Sequence, residues 1–272
     1  MLMSNKISTM VKRLNLPTRA FGAEPGQPAV AGLAAWIAGN RGRTADIVTY
    51  QLDRSLAPQV TAAIGTPCAG GKFYADRIIQ CLSGIRDRRA TGELHVDTPA
   101  IVEDAAGIVV QKKGAECAMP APHVLGITDA YYGDADEWSD MICGAYRTVM
   151  RAMRDTGVSG HVLLCDAMDN AELAALSRQN CFFFQPDPSR EDLANLMEYQ
   201  SRVAAGRDQL QAVFDLMDEY TLKKIFIVDP DPAAIRLALS HLDPDQIVAG
   251  GYCNEDCGEY WKKIVADAVY ER

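Results

Sequence analysis

The second half of the chain alternates between short unbroken apolar runs and longer stretches in which apolar residues recur every three or four positions. "HVLLCD" (161–166), "CFFFQP" (181–186), "KIFIVDP" (224–230) and "QIVAGG" (246–251) are continuous rather than alternating, as strands buried on both faces of a parallel sheet must be. Counting weaker runs, strands are expected at Ile47–Leu52, Leu94–Val96, Gly107–Gln111, Val124–Thr128, His161–Cys165, Cys181–Gln185, Ile225–Val228 and Ile247–Gly250. Helical spacing fills Leu56–Ile64, Phe73–Ile85, Ala135–Arg154, Ala171–Gln179, Glu191–Tyr220, Pro232–His241 and Cys257–Tyr270. A short helix is expected around Lys6–Leu14, then a Pro/Gly-rich link "LPTRAFGAEPGQP", then an apolar helix around Ala29–Ala38.

Strand-then-helix order sustained to the end of the chain implies an α/β fold with a helix-covered parallel sheet, and eight strand candidates suit a closed (β/α)8 TIM barrel. The alternative is an open doubly wound sheet with a β-hairpin inserted near 93–111. By this reading residues 1–40 are an N-terminal helical extension and 41–272 a single catalytic or binding domain.

Acidic residues punctuate the strand ends, often in pairs. The second acid of a pair falls where a helix needs a side chain to accept its unpaired N–H groups. Asp231 precedes Pro232, while Asp134 and Asp169 stand three before Glu137 and Glu172 in capping-box spacing; in "PDPSRED" the cap is Ser189, with Asp192 in the first turn. The first acids, Asp166, Asp187 and Asp229, are left at the carboxyl ends of strands, where α/β folds bind ligands, and Asp129 and Asp53 take the same place earlier in the chain. Gathered there, they suit acid/base work or Mg²⁺ or Mn²⁺. As single residues facing water they would be ordinary turn formers. His123 and His161 fall at the opposite strand ends and read as structural.

Two loops add other chemistry. In "GTPCAGGKFYAD" (65–76), Gly70 and Gly71 precede Lys72 and a helix start, an arrangement that offers N–H groups and a cation to an anion; the P-loop pattern is absent. Lys72 also fits a Schiff-base role, with Lys112 as a second candidate. "AGGYCNEDCGEYW" (249–261) places Gly250, Gly251 and Tyr252 at the last strand end, then Cys253 and Cys257. With Cys68 or Cys117 as a third thiolate, that pair suits zinc or an iron–sulfur cluster.

Composition narrows the partners. The 272 residues carry a formal net charge of −9, which argues against a sequence-independent nucleic-acid binder. No run reaches the roughly 18 apolar residues of a membrane span, and "MLMSNKISTMVKRL" lacks the apolar centre of a signal peptide, so a cytoplasmic chain with reduced cysteines is expected. The leading functional reading is an enzyme, lyase or transferase in type, acting on a small anionic metabolite. Asp166, Asp187, Asp229 and Asp129 would supply the chemistry, with Lys72, Gly70, Gly71, Gly250, Gly251 and Tyr252 holding the substrate. The alternatives are a thiolate-metal transferase and a non-catalytic cofactor-binding or maturation protein; a homo-oligomer is compatible with each.

Overall fold

The computed structural model describes residues 13–40, 46–178, 180–254 and 257–271. Its centre is a closed barrel of eight parallel strands, β1 (Thr18–Ala23), β2 (Cys68–Gly70), β3 (Glu116–Pro120), β4 (His161–Leu164), β5 (Cys181–Phe184), β6 (Arg202–Ala205), β7 (Lys224–Val228) and β8 (Ile247–Cys253). Around it stand helices α1 (Val30–Gly39), α2 (Ile47–Thr61), α3 (Ala75–Gln80), α4 (Pro99–Gln111), α5 (Ala135–Thr156), α6 (Asn170–Leu176), α7 (Arg190–Tyr199), α8 (Leu210–Leu216), α9 (Pro232–Leu239) and α10 (Cys257–Asp267). Ladders join β2–β3–β4–β5 and β6–β7–β8–β1. The two seams between these arcs are closed differently. Thr66 exchanges hydrogen bonds of 2.9 Å with Thr18 and Ala20 between β1 and β2, and the Gln200 side chain spans β5 and β6.

The barrel interior is built on aromatic rings. Phe21 stacks on Phe184 at a centroid distance of 4.4 Å and meets Phe182 and Phe226. Rings of this size leave room only for small neighbours, so Cys68, Ala118 and Ala204 face them. Gly22 adopts φ +115°, and a Cβ there would lie 2.7 Å from that of Ala118. At one end the interior is sealed by Arg19, which pairs with Glu116 at 2.7 Å and lies 4.7 Å from the Phe182 ring centroid.

This is the TIM-barrel class expected from the pattern, with four strands in other places. Ile47–Leu52 is the first half of α2, because Asp46 caps the helix and Val48, Leu52, Leu56 and Gln59 form one buried stripe. Gly107–Gln111 ends α4, whose buried face is Ile101, Asp104, Ala105 and Ile108. Val124–Thr128 begins in a 3-10 turn (Pro122–Leu125) and ends on the first residue of a two-residue strand outside the barrel (Thr128–Asp129). Leu94–Val96 belongs to a hairpin, Leu82–Arg86 with Arg89–Val96, outside the barrel and starting before the expected 93–111. The missing barrel strands are β1, within the expected Pro/Gly-rich link, β2, β3, and β6, inside the expected helix 191–220.

The four strands from 161 onward are parallel as expected, but β6 stands between the second and third of them. Arg13–Asn15, where the end of a helix was expected, pairs antiparallel with Val269–Glu271; the rest of that helix, Lys6–Lys12, lies outside the described residues. No helix among the described residues is long and apolar enough to cross a membrane.

Candidate functional site at the barrel mouth

The carboxyl ends of the eight strands carry Glu24, Lys72, His123, Asp166, Asp187, Arg207, Asp229 and Tyr252. His123 organises the most developed cluster. It sits in the turn after β3, whose last carbonyl, of Pro120, accepts a 2.7 Å hydrogen bond from the buried Tyr146 hydroxyl. Glu172, buried in the first turn of α6, takes the His123 backbone N–H at 2.6 Å and faces Nδ1 at 2.8 Å. Asp166, after β4, approaches Nε2 at 2.9 Å from the solvent side, with 75% of its side chain exposed against 6% for Glu172. Burial alone would lower the imidazole pKa; hydrogen bonding and charge from Glu172, then Asp166, outweigh it and raise the value. Burial pushes the Glu172 carboxyl up, opposed by the same imidazole. A ring with one nitrogen fixed by a buried carboxylate and the other at an open face is arranged for proton transfer.

The other strand-end acids are held separately. Asp187 accepts from Gln209 Nε2, and Asp229, at φ +50°, from the Tyr260 hydroxyl at 2.5 Å. Asp231 caps α9 through Ala233 and Ala234 N–H at 2.7 Å and pairs with Arg207 at 3.1 Å. Asp129 follows a short strand paired with the hairpin rather than a barrel strand, and accepts from the backbone of Tyr131, Tyr132 and Gly133. These bonds hold its carboxyl below the usual range, so Asp129 is a turn former. Asp53 lies inside α2 and accepts from Trp36 Nε1 at 3.2 Å. Asp166 is thus the one expected acid brought against an imidazole; among the described residues no group of three or more His, Cys, Asp or Glu converges to hold a metal, Mg²⁺ and Mn²⁺ included.

The glycine pairs serve packing. A Cβ on Gly71 would strike the Ala23 carbonyl, and the Lys72 backbone N–H donates to Glu24, so the chain's own carboxylate takes the place of the expected anion. Glu24 also accepts from the Tyr252 hydroxyl, and burial with this carboxylate beside it raises the phenol pKa. A Cβ on Gly70 would strike Ala118, one on Gly250 the Phe21 ring, and one on Gly251 the Tyr260 ring. Lys72 is exposed at the mouth, whereas Lys112 ends α4 just before β3, at the opposite end of the barrel.

The thiolate set does not assemble either. Cys253 and Cys257 are joined by a disulfide, against the expectation of reduced cysteines; strand end and helix start bring their Cα atoms to 5.7 Å. Cys68 faces the barrel interior while Cys117 faces the outer helices, and burial raises the pKa of both. The residues proposed for zinc or an iron–sulfur cluster therefore do not fit such a centre as they stand. His161 is buried at the foot of β4, without a hydrogen-bond partner among the described residues, and burial lowers its pKa to about 3.

His123 is the residue the pattern missed. With β3 unrecognised, it preceded an expected strand instead of following a real one. The available signal was Glu172, whose box spacing was visible but whose carboxylate reaches His123 rather than its own cap.

No protein-family model matches the chain, and no curated protein matches its sequence. Two solved structures are similar over almost its whole length. A B12-independent methionine synthase from Shewanella sp. W3-18-1, in complex with selenomethionine, shares 14% identity over 94% of this chain and 96% of that one, with a TM-score of 0.64. A putative vitamin-B12-independent methionine synthase from Listeria monocytogenes shares 13% identity over 91% and 95%, with a TM-score of 0.65. At such identities the likeness establishes the barrel fold alone.

Proposed function

We propose that the chain is a transferase-type enzyme whose reaction runs at the barrel mouth, with His123 as general acid/base. The observation that carries this reading is the convergence of Glu172, His123 and Asp166 within hydrogen-bond distance. A histidine oriented through two of its groups by one buried carboxylate meets the geometric requirement of a general acid/base. Glu172 keeps the proton on Nδ1, so Nε2 is the atom that exchanges one. When a substrate O–H, N–H or S–H displaces the exposed Asp166 carboxylate, Nε2 takes its proton and frees the attacking lone pair; the resulting imidazolium is stabilised by Glu172. In this reading Lys72, exposed at the mouth, holds an anionic end of the substrate by its side chain, since the backbone N–H at that position is already bound to Glu24. The structural likeness to two methionine synthases supports group transfer as the reaction class.

The test is a panel of small thiol, amine and hydroxyl acceptors with alkyl and acyl donors, run with wild-type protein and His123→Asn. Removing a general base lowers turnover by roughly 10²–10⁴-fold, with folding unchanged by circular dichroism. Any transfer activity that survives intact in His123→Asn removes His123 from the chemistry.

A further inference from the structure

Helix α1 is made of Val, Ala, Gly, Leu, Trp and Ile only, "VAGLAAWIAG", and none of its residues is buried. Trp36 turns toward α2, where it donates to Asp53 and meets the Tyr50 ring edge-on at 5.4 Å. The flank beside Trp36 faces water, with Val30 at 86% and Ile37 at 43% exposure. They are not isolated. Of the large hydrophobic residues exposed among those described, Val30, Ile37, Ile47, Val102 and Val110 all stand on α1, α2 or α4, and Val110 is 85% exposed. Between these three helices opens a cavity of about 190 Å³, lined by Trp36, Leu52, Ile108 and Val110 among others. The polar groups at its floor are already bonded: Asp104 receives Arg77 at 2.7 Å and the Tyr74 hydroxyl at 3.1 Å. Soluble chains rarely leave a patch of this kind uncovered.

We propose that this face is a two-fold interface between copies of this chain, with α1 of each protomer laid against the α1–α2–α4 face of the other. Self-complementarity is what a two-fold interface requires, and here a projecting uncharged helix and a hollow lie side by side on one surface. Charge points the same way. The chain's net charge of −9 opposes the approach of a second copy through most of its surface, whereas α1 carries no charged side chain. A lipid surface fits poorly, because α1 lacks the Lys and Arg of interfacial helices and its ten residues span only about 15 Å, half a bilayer core. Three helices about 9 Å apart present on the order of 400 Å² in projection, about half of the roughly 800 Å² per partner of a standard interface, which sets the expected dimer among the weak, reversible ones.

The test is sedimentation equilibrium of the full chain across micromolar concentrations. A monomer–dimer equilibrium is expected. Ile37→Asp and Val110→Asp, both at exposed positions, are each expected to weaken it at least about tenfold by placing a carboxylate in an apolar contact. Tyr199→Asp, an exposed change on α7 across the barrel, should leave it unaltered; circular dichroism and melting confirm that the variants fold. A monomer at every concentration, or a dimer that both α1–α4 variants leave intact, overturns the proposal. So does a dimer that only Tyr199→Asp disrupts.

Discussion

His123 illustrates how far a single residue's role depends on what surrounds it. Alone in the sequence it has no signature, and the strand that delivers it, "ECAMP", is short and built of small or atypical strand residues. Asp166 was legible because the run before it, "HVLLC", is unmistakably a buried strand, and an acid that follows such a run lands on the ligand face. Their pairing has a consequence that needs no substrate. Burial works against the imidazolium, and the Glu172 and Asp166 carboxylates stabilise it, leaving its pKa raised. The stability from these contacts is fully present below the unfolded histidine's pKa, and is lost as pH rises through the higher folded value. Asp166→Asn removes one of the two charges and should move the His123 titration midpoint to lower pH, read from its imidazole C–H signals by NMR. Wild type and variant titrating together would show that Asp166 does not pair with His123 in solution.

At the scale of elements, capping chemistry was the most readable feature, because it depends on residues close in sequence. Asp134, Asp169 and Asp231 accept the helix N–H groups expected of them, and Ser189 with Asp192 forms a complete capping box. Strand identity was less readable wherever packing chose the side chains. β2, β3 and β6 contain Cys68, Ala69, Ala118, Ala204 and Ala205, residues of weak strand preference; Cys68, Ala118 and Ala204 are small where the interior phenylalanines need room, while Ala69 and Ala205 face the surrounding helices. In α4 the difficulty was opposite: "GIVVQ" favours a strand locally, and the acid at 104 hides the helical stripe until Arg77 and Tyr74 are seen to satisfy it. For the caps, Asp231→Ala should lower stability by roughly 0.5–2 kcal/mol in a denaturant titration, since Ala233 and Ala234 lose their acceptor. Catalysis should be almost unaffected, and a large loss of activity at unchanged folding would move Asp231 from the cap into the site.

At the two seams of the whole barrel, backbone groups left open on a strand edge are satisfied by two glutamines that no local pattern reveals. Among the described residues no ladder joins β5 to β6, and β2 meets β1 only through a bridge at Thr66. A glutamine amide carries the donor and acceptor of a peptide group on a side chain, so it can stand in for a missing strand neighbour. Gln59, fully buried on α2, does this for Cys68, donating to its carbonyl at 2.7 Å and accepting its N–H at 2.8 Å. Gln200 does the same for Phe183, with bonds of 3.1 and 3.2 Å, and reaches the Arg202 carbonyl at 3.0 Å on the other side of the seam. Replacing either with leucine keeps the bulk but strands backbone groups on a barrel strand. Gln59→Leu should cost more, because water cannot reach Cys68 to compensate, and a buried unpaired group costs about 1–3 kcal/mol where two are left here. Gln200 is only half-buried, so water recovers part of the loss and a smaller effect is expected. Chemical denaturation of both variants checks the order. Amide hydrogen exchange adds the location, because the Phe183 N–H should lose protection in Gln200→Leu and the Cys68 N–H in Gln59→Leu. If both amides stay protected, the seams are held by something other than these side chains.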